Sequence, residues 1–159
     1  MKGSVKMKRL FLKKFLTLLT CFMLITATSM ALAAEVSDEG TVEPRASQYL
    51  SSYMAYIAPV GSGKIQIWFD VEGTAVMDKI GTTTIVLKES TNGTSFTPVK
   101  TFKSTSYSSM IASNKGSYTS YVPYSGTAGR YYQAVVTVYA EKNGGSDSRV
   151  ITTSTKKAS

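Results

Sequence analysis

Between Lys64 and Val71 apolar and polar residues alternate without a break, and this stretch constrains the fold more than any other. Ile65, Ile67, Phe69 and Val71 fall on one face, with Lys64, Gln66, Trp68 and Asp70 on the other. A period of two is the signature of a strand with one face on a core and the other toward water. The same chemistry recurs from Ala46 onward, where Tyr, Thr, Ser, Val and Ile dominate and turn residues come every eight to twelve positions. No helical period of useful length competes with it. The expected fold class is therefore all-β.

Strands are expected at Tyr49 to Ile57, Lys64 to Val71, Thr83 to Ser90, Ser95 to Lys103, about Ser117 to Tyr124, Arg130 to Lys142 and Ser148 to Ser154, seven in all. Pro59 and Gly61-Ser62-Gly63 separate the first two. Gly73 and Gly81 bracket a short connection carrying Met77-Asp78-Lys79-Ile80. Asn92-Gly93, lying between two β-rich runs, predicts a hairpin with a type I′ turn, because both residues tolerate positive φ. Residues 104–116 are Ser-rich and irregular, with a helical turn expected around Met110 and Ile111. Asn143-Gly144-Gly145 returns the chain into the last strand.

The N-terminus reads as a secretory signal peptide, residues 1–33. Lys2, Lys6, Lys8, Arg9, Lys13 and Lys14 form a basic region, an apolar stretch follows from Phe15 to about Met30, and Ala31-Leu32-Ala33 supplies small residues for cleavage after Ala33. The apolar run is about as long as a membrane-spanning helix. Thr17, Thr20, Thr26, Thr28 and Ser29 dilute it, however, and acids follow at once, so no stable membrane anchor is expected after cleavage. The chain is expected to be secreted or held at the cell envelope. Residues 34–45 carry four acids and two valines and are expected to be a disordered linker. The domain is expected over 46–155, with a polar tail at 156–159.

The net charge of +8 is misleading, because six of the 18 basic residues lie in the signal and all ten acids lie after it. Twelve bases against ten acids leave +2, scattered singly, which makes no row able to neutralise phosphates. Nucleic acid is excluded on that ground. Cys21 is the only cysteine, and Thr20 before it departs from a lipidation signal. Histidine is absent. The exported domain then has neither disulfide nor thiolate or imidazole metal ligand, and about 110 residues must hold together by their core.

Taken in order, these features resemble a fibronectin type III or related immunoglobulin-like module. Ile65, Ile67 and Phe69 resemble its second strand, Ser90-Thr91-Asn92-Gly93 with Phe96 its third hairpin, and Gly129-Arg130-Tyr131-Tyr132 through Thr137 to Gly145 and Ser148 its penultimate strand and last turn. The resemblance covers about residues 49–155 and implies an antiparallel β-sandwich of about seven strands. The signal, with Pro44-Arg45-Ala46-Ser47, Trp68-Phe69-Asp70-Val71, Met77-Asp78-Lys79-Ile80-Gly81 and Asp147-Ser148-Arg149, is also similar to a family of small exported proteins of Gram-positive bacteria with no assigned function. Neither resemblance implies catalytic residues. Two departures from the fibronectin pattern stand out. Phe69 takes the usual tryptophan position of strand two, which leaves Trp68 on the opposite face, and the 104–116 segment is long.

Trp68 is the sole tryptophan and the binding residue singled out here. Beside Lys64, Gln66 and Asp70, an exposed indole can stack on a sugar ring or anchor a protein partner. The alternative is that a loop covers it, with 104–116 the obvious one. Tyr131 or Tyr132 is expected to be a structural corner tyrosine. Asp70 and Glu72 project to one side, as paired carboxylates for glycoside hydrolysis must, but solvated strand-end charges are the expected reading, since neighbouring same-face carboxylates need no catalytic purpose. Asp78 with those two could form an oxygen-ligand Ca²⁺ site, although no Asp-x-Asp-x-Asp-Gly spacing is present. Ser90 to Phe96 is similar to a sialidase-type Asp-box, except that Thr94 stands where glycine is required. Nucleophilic catalysis has no His or Cys to draw on and no Ser-x-x-Lys motif in context. The expectation is a non-enzyme without cofactors: an exported interaction module binding a protein, with a carbohydrate-binding module for wall or environmental polysaccharide as the alternative.

Overall fold

The structure is a computed structural model and describes residues 47–159. The expected signal peptide, the Ala33 cleavage site and the 34–45 linker lie outside the described residues. Seven strands form one antiparallel sheet: β1 (Leu50–Gly61), β2 (Lys64–Ser90), β3 (Thr97–Lys103), β4 (Ile111–Ser125), β5 (Tyr131–Lys142), β6 (Gly145–Thr152) and β7 (Lys156–Lys157). A single 3₁₀ turn at Ser108–Met110 is the one helical element among the described residues. The fold class is all-β, as the alternation predicts, and the sheet curls into a half-barrel.

The curl is made by β2. At 27 residues it would run about 90 Å if straight, far beyond what one core can cover, so it must bend. Its first part, Lys64 to Glu72, lies between β1 and β4. Lys79 to Gly81 lie between β4 and β5, and Thr84 to Glu89 between β3 and β5. The bends coincide with two interruptions of register, between Glu72 and Met77 against β4 and between Thr82 and Thr84 against β5. Gly81 marks the second. Its φ is +144°, and a Cβ there would run into the Met110 carbonyl oxygen. Gly73 and Gly81, read from sequence as the ends of a connection, are therefore bends within one continuous strand, and the expected loop between them does not exist.

The concave side holds one apolar cluster. Ile65, Ile67, Phe69 and Val71 of β2 enter it together, as their spacing predicts, and meet Ile57 of β1, Val122 of β4, and Ala134, Val136 and Val138 of β5. Ile85 and Leu87, from the far part of β2, belong to the same cluster. Met110 is fully buried and plugs the cluster where the 3₁₀ turn passes Gly81. Of the 104–116 segment, Met110 packs inward, as does Tyr107 against Phe102 with ring centroids 5.2 Å apart, while residues 111–116, expected to be irregular, are the first part of β4, held extended by pairing with Met77 to Gly81 of β2.

Of two Asn-Gly turns, one follows the dipeptide signal and in the other side-chain chemistry overrides it. Asn143 and Gly144 both take positive φ, at 52° and 79°, and join paired Lys142 and Gly145 in a two-residue turn of the I′ kind. Asn92-Gly93 does not, because only Gly93 has positive φ. Asn92 Oδ1 instead accepts hydrogen bonds from the Ser90 hydroxyl at 2.8 Å and from the backbone N–H of Thr94 and Ser95 at 2.9 and 3.0 Å. The predicted tight turn becomes a wider loop between Glu89 and Thr97, the last ladder pair, stapled by its own asparagine.

The chain end departs from the sequence expectation as well. Residues 156–159 were expected to be a polar tail, but Tyr131 and Tyr132 pair with Lys157 and Lys156, and Ala158 is buried. Ala158 N–H donates to Arg130 O at 2.9 Å, Gly129 N–H to Ala158 O at 2.7 Å, and Gly63 N–H to Ser159 O at 2.8 Å. The lysine side chains point to solvent while their backbone completes the sheet. Composition alone registers the first fact and misses the second.

Candidate functional site

The polar face of β2 is the outer face of the half-barrel, and its neighbours on β1 and β4 decide what surrounds Trp68. In register, Tyr56 of β1 lies opposite Trp68 on one side and Tyr121 of β4 opposite on the other. The Tyr56 and Trp68 rings are parallel within 4°, with centroids 6.1 Å apart. Trp68 and Tyr121 are 4.7 Å apart and tilted by 36°. Cross-strand aromatic pairs of this kind each contribute about 0.5–1.5 kcal/mol. Trp68 is half-buried between its neighbours, whereas Tyr56 is 41% and Tyr121 39% exposed. The ring partners of Trp68 are these two tyrosines, and the 104–116 segment, offered from sequence as a cover, is engaged at the core and in β4 instead.

The next rows extend the face. Met54, 46% exposed, lies opposite Asp70, which pairs in turn with Thr119. Ala58 and Pro123 flank Gln66, and Ser52 and Ser117 flank Glu72. Hydrogen bonds orient the polar members. Trp68 Nε1–H donates to Gln66 Oε1 at 3.1 Å, which turns the amide nitrogen of Gln66 away from the indole. Thr119 Oγ1 donates to Asp70 Oδ1 at 3.0 Å, and Ser52 Oγ to Glu72 Oε2 at 2.8 Å. With Lys64 at one end and Asp70 and Glu72 at the other, the face of β2 carries a small net negative charge.

The remaining sequence candidates fall elsewhere. Asp78 accepts a hydrogen bond from the backbone N–H of Asn143 at 2.8 Å and so caps the β5–β6 turn, away from the paired rows of Asp70 and Glu72. Among the described residues, no group of three or more His, Cys, Asp or Glu side chains converges in a way that could hold a metal ion. Ser90 and Asn92 serve the β2–β3 loop.

Of Tyr131 and Tyr132, it is Tyr132 that is buried and hydrogen-bonded through its hydroxyl. It is fully buried at the start of β5, its hydroxyl accepts a hydrogen bond from the Thr127 N–H at 2.9 Å and donates to Glu89 Oε2 at 2.6 Å. Burial, then the hydrogen bond to Glu89, raise its pKa above that of an ordinary phenol. At the other end of the sheet Tyr139 donates to Glu141 Oε2 at 2.5 Å; this bond, then burial, raise the Tyr139 pKa, and the same bond, with one from Lys79, lowers that of Glu141. Asp147 accepts hydrogen bonds from the Ser47 hydroxyl and, at 2.9 Å, from the Tyr49 N–H, which fasten the start of the described chain to β6. Those bonds hold its carboxyl below the usual aspartate range.

Sequence parity alone finds Trp68, Gln66 and Asp70 on one face. It misses Tyr56 and Tyr121, because their place beside Trp68 depends on the register of β1 and β4. Comparison of the chain with protein-family models, with curated proteins and with solved structures finds no match in any of the three.

Proposed function

We propose that the chain is an exported, non-catalytic interaction module, a β-sandwich of the fibronectin type III or immunoglobulin-like kind that holds its partner on the outer face of β1, β2 and β4. Two observations support the sandwich. The half-barrel divides into a three-stranded side, β1–β2–β4, and a four-stranded side, β3–β2–β5–β6, over a shared core. Tyr132 also bonds back to the backbone five residues upstream at the start of β5, as the corner tyrosine of such folds does.

The observation that carries the function is the strip Tyr56–Trp68–Tyr121, an aromatic row left open across three strands beside oriented polar groups. Cross-strand pairing stabilises the row, and its two tyrosines remain exposed, as the anchors of a binding face do. The single tryptophan makes this testable. Partner binding should shift tryptophan emission, which has one source in the chain. Titration of the secreted protein with cell-wall fragments and with the secreted protein fraction should move that emission in at least one case; no movement in either refutes the face as a binding surface. Export is tested by mass spectrometry of protein recovered from the medium, with a first residue of Ala34 expected and full-length protein retained in membranes contradicting it.

A further inference from the structure

Resting on the reading of the outer face as the binding surface, we infer that its ligand is a single chain of a neutral polysaccharide, stacked on the Trp68 row and held by Gln66 and Asp70. The size of the face argues first. Three strands at about 4.8 Å spacing and nine residues at about 3.3 Å rise give a surface on the order of 450 Å². A standard protein interface buries about 800 Å² of accessible surface on each partner, so a globular partner would have to reach beyond this strip, whereas one extended glycan strand fits within it.

The chemistry argues second. Along β2 the order Gln66, Trp68, Asp70 puts the half-buried indole, stacked against Tyr56 and packed on Tyr121, between a donor and an acceptor on the same side, with the two tyrosines as the exposed part of the aromatic row. The indole N–H fixes Gln66 with its oxygen inward, so its NH₂ is presented as a donor. Asp70 is fixed through Oδ1 by Thr119, and its Oδ2 is presented as an acceptor. A sugar ring needs this arrangement: C–H groups against an aromatic surface, with hydroxyls that both accept and donate at its rim. The charge argues third. On β2 itself Asp70 and Glu72 outweigh Lys64, with Lys115 of β4 in step with Ser117 beyond Glu72, and the Asp70 carboxylate beside the aromatic row repels an anionic polymer.

The test uses the secreted protein and its single tryptophan. Cello-, xylo- and laminari-hexaose are titrated while emission is followed, with depletion on insoluble cellulose, xylan and β-1,3-glucan in parallel and polygalacturonate as the anionic comparison. At least one neutral series should shift the emission and deplete the protein, and polygalacturonate should do neither. Tyr121→Ala and Asp70→Ala, which keep the reporter, should each weaken that binding at least tenfold with far-ultraviolet circular dichroism and melting unchanged within a few degrees. Gln66→Ala, which removes the amide and a single buried-edge hydrogen bond, should do the same and guards against a variant that fails to fold. The inference is overturned if no neutral glycan shifts the emission, if folded variants bind as the wild type does, or if polygalacturonate binds as tightly. A shift with the secreted protein fraction alone would overturn the polysaccharide while leaving the binding face standing. Silence toward both would remove the face as well.

Discussion

Replacing Tyr132 by Phe deletes one oxygen from the core and tests whether the corner it makes holds the two sides of the sheet together. The ring is fully buried, and Phe keeps it, so the transfer free energy of the aromatic surface is unchanged. What is lost is the hydrogen bond from Thr127 N–H at 2.9 Å and the one to Glu89 Oε2 at 2.6 Å. A neutral hydrogen bond nets about 1 kcal/mol and one to a charged group about 1.5–3 kcal/mol. Glu89 and Thr127 both reach solvent and can recover water, so the lower end applies, and the sum is about 2 kcal/mol. For a domain of this size that lowers the melting temperature by roughly 8 °C, or the urea midpoint by about 1 M. The pH dependence gives an independent sign. The folded pKa of Tyr132 is raised, so the phenol contributes stability that is complete below the unfolded value near 10 and is lost as pH rises through the folded value. The wild-type melting temperature should therefore fall more steeply above about pH 10 than that of Tyr132→Phe. A Tyr132→Phe protein within about 0.5 kcal/mol of wild type by urea denaturation, with the same alkaline slope, would refute the reasoning.

Thr82→Val should stabilise the protein by about 1 kcal/mol in the same urea assay, since Thr82 is fully buried and its hydroxyl has no hydrogen-bond partner among the described residues. Gly81→Ala should prevent folding or lower stability by more than about 3 kcal/mol, as read by circular dichroism and melting, because φ of +144° and the Met110 carbonyl leave no room for a methyl group. Asp147→Asn should weaken the acceptor that holds Ser47 and Tyr49, seen as faster hydrogen exchange at the Tyr49 amide. Because the folded Asp147 pKa is lowered, its contribution is present above an unfolded value of about 4 and is lost as pH falls through the folded value, so the variant should show a shallower loss of stability below pH 4.

Much of the sheet is legible in the chain because its strands alternate. Ile65 to Val71 and Tyr132 to Val138 enter the core with the parity their sequence gives them. Parity also separates Tyr132, in step with Ala134 and Val136, from its neighbour Tyr131, although a residue-type reading leaves the two level. What the sequence hides is set by distant partners. Gly73 and Gly81 carry the ordinary look of turn residues, and it takes Tyr49 and Leu50 at Gly73 and Thr74, then β4 and β5 from later in the chain, to keep the segment between them extended. Lys156 and Lys157 look solvated because their side chains are, while the hydrogen bonds that fix them are made by backbone. The candidate site shows the same limit. Gln66, Trp68 and Asp70 share a face by local geometry, but Tyr56 and Tyr121 join them through register, which no single segment encodes.

The continuous second strand also sets the order in which the molecule can come together. Its pairs with the fourth and fifth strands join residues thirty or more positions apart, and some, such as Ile67 with Val122 and Ile85 with Val136, more than fifty. Contacts that distant require loop closure before they return any free energy, which slows folding in proportion to their share of the whole. A chain emerging from its N-terminus therefore presents β2 with only the β1 hairpin and then β3 attached, one edge bare along most of its length, until β4 and β5 arrive. During that interval the bare edge of Ile65 to Leu87 is a template open to other chains, and the yield of native protein should depend on how dilute the newly made chains are.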